Sequence, residues 1–192
     1  MPEIARSVVD GLRRGEEGAY LTVVEQLLGP VYRFLLRLCR DGGAAEDLTQ
    51  ETFLAAWQGI GSFRGRSKFA TWVFGIAYRQ YLRHRNRREV ETVPLDTGRH
   101  EAAAADPAVM LIEAADRQRL RQAISNLPGQ YRETLCLVHL EGFSYREAAE
   151  VLGIPIGTVK SRMNTAFALL RERLEECEVD GDELPATERV PE

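Results

Sequence analysis

The chain has 192 residues, 25 Lys and Arg against 29 Asp and Glu, and a formal net charge of −4. That length suits one large or two small domains, and the 44% apolar content is that of a globular protein. No run approaches the roughly 18 apolar residues of a membrane span, and the N-terminus carries acids and no apolar signal core, so a cytoplasmic location is expected. The three cysteines, Cys39, Cys136 and Cys177, are far apart, and His84, His100 and His139 join no ligand cluster. No metal, cofactor or disulfide framework is therefore expected.

In chain order, the pattern is all-helical. One helix is predicted over Pro2 to Arg14, and a second over Gly18 to Arg40 with a bend near Gly29-Pro30. Asp41-Gly42-Gly43 reads as a turn. Ala44 to Trp57 is strongly amphipathic: Leu48, Phe53, Ala56 and Trp57 can face inward, while Asp47, Gln50, Glu51, Leu54 and Gln58 share another face. A loop with three glycines and two arginines follows over Gly59 to Ser67, then a helix over Lys68 to about Arg87.

Charge is segregated along this region. From Gly59 to Arg88 there are eight positive residues and no acid, a formal charge of +8. The tail from Glu175 onward is the reverse, with eight acids against Arg189. Solvated helix faces normally mix signs, so an acid-free basic stripe points to phosphates, where it releases counterions. Phe69, Trp72, Val73 and Ile76 fall on one helix face as core candidates. Phe74, Tyr78 and Tyr81 fall on another, either as core or as a stacking platform for unpaired bases, with core packing favoured for any single ring.

Glu89 to Asp106 has Pro, Gly, acids and little periodicity, and reads as a flexible linker. A second domain begins near Pro107, with helices over Val109 to Ser125 and Gly129 to Glu141, broken at Leu127-Pro128-Gly129. From Leu140 to Leu174 two helices are joined by a tight turn. Ser144 and Glu147 form an S-x-x-E capping box, Gly153 ends the first helix, and Pro155 prevents its continuation. The second helix, from about Ile156, carries Thr158, Lys160, Ser161, Arg162, Asn164 and Thr165 near its start, all able to reach phosphates or base edges. The spacing fits a DNA-binding helix-turn-helix; it also fits an ordinary helical hairpin with a solvated polar face. The expected organisation is residues 1–88, linker 89–106, residues 107–177, and an acidic disordered tail over 178–192.

Three blocks in this order resemble the extracytoplasmic-function sigma factors, two-domain members of the sigma-70 family: AAEDLTQETFLAAW at 44–57, SFRGRSKFATWVFGIAYR at 62–79, and LPGQYRETLCLVHLEGFSYREAAEVLGIPIGTVKSR at 127–162. The resemblance implies that Asp47, Gln50, Glu51 and Leu54 dock on the coiled coil of the largest subunit of core RNA polymerase. It implies that the loop around Phe63-Arg64-Gly65 holds a flipped −10 base, with Arg66, Lys68, Trp72, Arg79 and Arg83 along the adjoining DNA path. Gly157, Thr158, Lys160, Ser161, Arg162, Asn164 and Thr165 would face the −35 element. It further implies a non-enzymatic initiation factor, monomeric when free, restrained by an anti-sigma factor. The chain departs from the family pattern at Arg79, usually Asn, at Arg83, often Asp, and at Asn164-Thr165, where arginines often follow. Two other readings, a dimeric repressor or activator and a helical adaptor for an acidic protein, leave the α-helical face of Asp47, Gln50 and Glu51 or the turn chemistry without a purpose.

Overall fold

The computed structural model describes residues 3–91 and 118–179, and these are helical with no strand among them. The N-terminal unit comprises α1 (Arg6–Arg13), α2 (Glu17–Cys39), α3 (Gly42–Gly59), a short 3-10 turn (Ile60–Ser62) and α4 (Phe69–Glu91). The C-terminal unit comprises α5 (118–125), α6 (Gly129–Leu135, continued by a π turn over Cys136–Leu140), α7 (Tyr145–Leu152) and α8 (Ile156–Val179). The acidic residues 180–192 and most of the expected linker lie outside the described residues, as does the start of the helix predicted from Val109.

Helix α2 buries Val23, Leu27, Val31, Phe34, Leu35 and Leu38, a three-to-four residue repeat that turns one stripe inward. Pro30 lies inside this helix as a single unbroken element, not at a junction between two. Its missing N–H deprives the Gln26 carbonyl of a helical donor, but Gln26 is exposed and water can serve instead. The turn predicted at Asp41-Gly42-Gly43 sits one residue earlier. Arg40 takes the left-handed conformation (φ 58°), and the Asp41 carboxylate accepts from the Ala44 N–H at 3.0 Å, so both glycines belong to α3. Thr49 and Thr52 are buried on α3, their hydroxyls donating to the Ala45 and Leu48 carbonyls at 2.6 and 2.7 Å. Trp57, expected to face inward with Phe53, is instead 37% exposed at the edge of that face.

In the C-terminal unit the local signals are all realised. Ser144 Oγ accepts from the Glu147 N–H, and the Glu147 carboxylate accepts from the Ser144 N–H at 2.8 Å, a complete capping box. Gly153 closes α7 at φ 67°, a conformation that penalises any Cβ. Val159, Met163, Ala166 and Leu170 form the buried stripe of α8. The Leu127-Pro128-Gly129 break is clamped by buried Arg132, which donates to the Ser125 and Leu127 carbonyls at 3.1 and 2.9 Å.

The two units are docked against each other along α4. Phe74, fully buried, packs on Phe34 of α2 at 5.3 Å and on Phe143, before α7, at 4.8 Å. Removing a ring so placed costs about 3–5 kcal/mol. Polar pairs surround it: Tyr78 donates to Glu133 at 2.8 Å, Arg85 lies 3.4 Å from the same carboxylate, Arg37 pairs with Glu141 at 2.6 Å and Lys68 with Glu147 at 2.9 Å. Phe74, Tyr78 and Tyr81 are thus covered by the C-terminal unit and offer no open stacking platform.

Burial raises Glu133 and Glu141 above the ordinary carboxylate value of 4.5, outweighing the pull of Tyr78 and Arg85 on one and of Arg37 on the other. Glu147 also loses hydration, but hydrogen bonds from Ser144 and Lys68 prevail and hold it below that value. A carboxyl raised on folding contributes stability that is complete below its unfolded pKa and is lost as pH rises through its folded pKa. Glu133 and Glu141 should therefore make the docked state more stable as pH falls toward 4.5, with the Glu147 contribution lost only below it. The paired substitution Glu133→Gln, Glu141→Gln should flatten the pH dependence of the thermal midpoint just above 4.5. An unchanged slope would show that these carboxyls titrate alike in both states.

Candidate functional site

Three surfaces gather the sequence-predicted residues. On α3, Asp47, Gln50, Glu51 and Leu54 all face solvent, and Asp47 and Glu51 have no ion-pair partner among the described residues. This face borders an open groove of about 480 Å³ between α2 and α3, walled by Tyr20, Val24, Leu28, Phe53, Leu54 and Trp57. Tyr20 and Trp57 meet edge to face at 4.8 Å. The surface is thus an apolar channel with a carboxylate rim. Tyr20, Leu28 and Trp57 were missed in the sequence because the helical repeat assigned Trp57 to the core and gave no pairing of α2 with α3.

The second surface runs from the 3-10 turn along α4. Gly65 holds a positive φ of 68°, letting the loop reverse and present Arg64 and Arg66 to solvent. Phe63 is not presented with them. Its ring is buried 5.3 Å from both Phe69 and Trp72, and its carbonyl accepts from Arg13 at 2.7 Å. It shapes the loop from beneath. Trp72, Arg79 and Arg83 lie on one stripe of α4 and line a cleft of about 240 Å³ against the end of α3. Gln80, unremarked in the sequence, lines the same cleft. Lys68 stands apart, engaged by Glu147 of the C-terminal unit.

On α8, Gly157, Lys160, Ser161, Asn164 and Thr165 are exposed, opposite the buried stripe. Thr158 lies half-buried on the flank of that face. Ser161 and Thr165 donate to the Thr158 and Ser161 carbonyls at 3.0 and 3.1 Å, which fixes their rotamers. Arg162 is separated from this group: it is half-buried and near enough to Tyr78 and Glu133 for its charge to oppose, in part, the rise in pKa that burial gives both, which places it toward the domain interface. Spacing alone could not find this, since the interface partner comes from another domain. Among the described residues no group of His, Cys, Asp or Glu is arranged to hold a metal ion, and no helix is long and apolar enough to cross a membrane.

Comparison with known proteins gives a consistent family. Residues 23–90 match sigma-70 region 2 and residues 117–170 match sigma-70 region 4. The RNA polymerase sigma-H factor of Pseudomonas aeruginosa is 31% identical over 180 residues, covering 88% of this chain and 93% of that protein. The extracytoplasmic-function sigma factor SigW of Bacillus subtilis is 28% identical over 187 residues, covering 91% and 98%. Among solved structures, the sigma factor RpoE of Bartonella quintana, in complex with the anti-sigma factor NepR, is similar with a TM-score of 0.67 and 28% identity over 81% of this chain and 96% of that one. With both sigma-70 regions matched in order and relatives aligned over nearly their whole length, the chain belongs to the extracytoplasmic-function group of the sigma-70 family.

Proposed function

We propose that this sigma factor brings core RNA polymerase to its promoters through the three surfaces just described, each suited to a different partner. The carboxylate-rimmed groove on α2 and α3 binds core polymerase, burying Leu54 and Trp57 and pairing Asp47 and Glu51 with cations. The basic path of Arg64, Arg66, Lys68, Trp72, Arg79 and Arg83 holds the opened −10 strand, where cations meet phosphates and the indole meets a base. The exposed N-terminal face of α8 reads the −35 duplex in the major groove. The observation that carries the reading is charge separation: an acid-rimmed apolar groove beside a stretch with no acid from Gly59 to Arg88. The protein acts as an initiation factor and not as an enzyme.

The docked arrangement cannot serve both promoter elements at once. The −35 and −10 positions lie about 25 base pairs apart, roughly 85 Å at 3.4 Å per pair. In the docked form the helix of the −10 path touches the unit that carries α8, through Lys68 and Glu147 at 2.9 Å and Phe74 and Phe143 at 4.8 Å, and α8 itself is only about 36 Å long. The two units therefore separate on promoter binding, releasing Lys68 from Glu147 and Arg162 from the neighbourhood of Glu133. We place the protein in the cytoplasm, where polymerase and DNA are, monomeric when free. As with the relative solved in complex with an anti-sigma factor, an anti-sigma factor is its proposed regulator, in a stress or envelope response.

Transcription from a genomic promoter pool by core polymerase plus this protein tests the whole reading: specific initiation is expected, and none on any promoter would refute it. The double substitution Asp47→Arg, Glu51→Arg should reduce affinity for core polymerase at least tenfold without loss of helical circular dichroism, because both side chains are exposed. Trp57→Ala should weaken the same binding; equal affinity in either folded variant would move the docking surface elsewhere. On the −35 side, Lys160→Ala should weaken binding to all sequences and lower the salt slope by about one unit. Asn164→Ala should instead lose about 1–3 kcal/mol of base discrimination with little change in salt slope. Identical behaviour of the two variants would contradict the division between phosphate and base contact.

A further inference from the structure

Helix α4 carries two stripes about 180° apart, at 100° per residue. Phe74, Tyr78, Tyr81 and Arg85 form one, occupied by the C-terminal unit. Trp72, Ile76, Arg79, Gln80 and Arg83 form the other, which lines the 240 Å³ cleft. The wall opposite is Gly59. A Cβ there would lie 3.8 Å from the Trp72 ring and 3.9 Å from Ser62 Oγ, so any side chain beyond it would enter the slot that glycine leaves. Ser62 donates to the Gly59 carbonyl at 2.7 Å and so holds this corner in place.

The half-buried Gln80 amide makes no hydrogen bond to the described residues, although it carries two donors and an acceptor. Arg79 and Arg83 flank it, both exposed and neither in an ion pair among the described residues. A free phosphate would need the arginines alone. A slot with an indole on one side, an unpartnered amide within it and cations on its rim fits a nucleobase with its phosphates outside. A glutamine amide matches adenine best, accepting from N6 and donating to N7. Phe63 is unavailable for that task, its ring being buried.

We propose that Gln80 is a specificity-determining residue that reads an unstacked adenine of the −10 strand in this cleft, with Trp72 against the base and Arg79 and Arg83 on the flanking phosphates. The proposal rests on the promoter-reading function above and adds the residue and the base.

The test is transcription by the reconstituted holoenzyme, with the full chain, on a promoter library randomised through the −10 region, followed by sequencing of the transcripts. The unaltered protein should prefer adenine at one position by about tenfold or more. Gln80→Ala should flatten the preference at that position alone. Gln80→Glu, which can accept from cytosine N4 but cannot donate to adenine N7, should shift the preference there to cytosine. Gly59→Leu, filling the slot, should reduce the same preference with Gln80 intact. Core polymerase affinity and helical content report that each variant is folded. A base profile unchanged in both Gln80 variants overturns the proposal and leaves the sigma-factor reading standing. No transcripts with the unaltered protein overturn that reading, and the proposal with it.

Discussion

The burial of α4 from two sides is the constraint on which the rest of this molecule depends. Its first turns pack Phe69, Val73 and Phe74 into the N-terminal unit, while Phe74 and Tyr78 also meet Phe143 and Glu133 of the C-terminal unit. Only one stripe remains for anything else, and the chain places Arg79, Gln80 and Arg83 there. A helix buried on most sides cannot show a simple amphipathic repeat, which is why two aromatic faces were visible in its sequence and neither could be assigned to a particular partner.

The docking is polar as well as apolar, and its chemistry bears on function. Glu141 and Glu133 are almost wholly buried acids that face Arg37, Arg85 and Tyr78. Buried carboxylates of this kind add little net stability, because desolvation offsets the attraction. What they add is specificity of arrangement and reversibility. Glu147 and Glu133 of the C-terminal unit lie against Lys68 and Arg85, two cations of the acid-free stripe, and the proposed function puts the first of these on the opened strand. An interface of balanced costs can release when a stronger polyanion arrives.

How much was legible follows the range of the interaction. The capping box at Ser144 and Glu147, the left-handed Gly153 and the stop at Pro155 act within four residues, and all were readable. The outward face of Asp47, Gln50, Glu51 and Leu54 followed from helical periodicity alone. Pro30 does not end α2, because a lost helical hydrogen bond is cheap where water replaces it. Trp57, read as facing inward, is partly exposed against Tyr20, and Phe63 is drawn under its loop by Phe69, Trp72 and Arg13. Tyr20 is distant in sequence from Trp57, Arg13 from Phe63 and Glu133 from Arg162, and no local pattern encodes those pairings.

The central claim is that one chain alternates between a docked form and a separated form that spans both promoter elements. Energy transfer between dyes at exposed Gln26 of α2 and Glu172 of α8 measures this directly. The account predicts high transfer in the free protein and a large loss when the protein is bound with core polymerase at a promoter it transcribes. Transfer that stays equally high in the transcribing complex would contradict it.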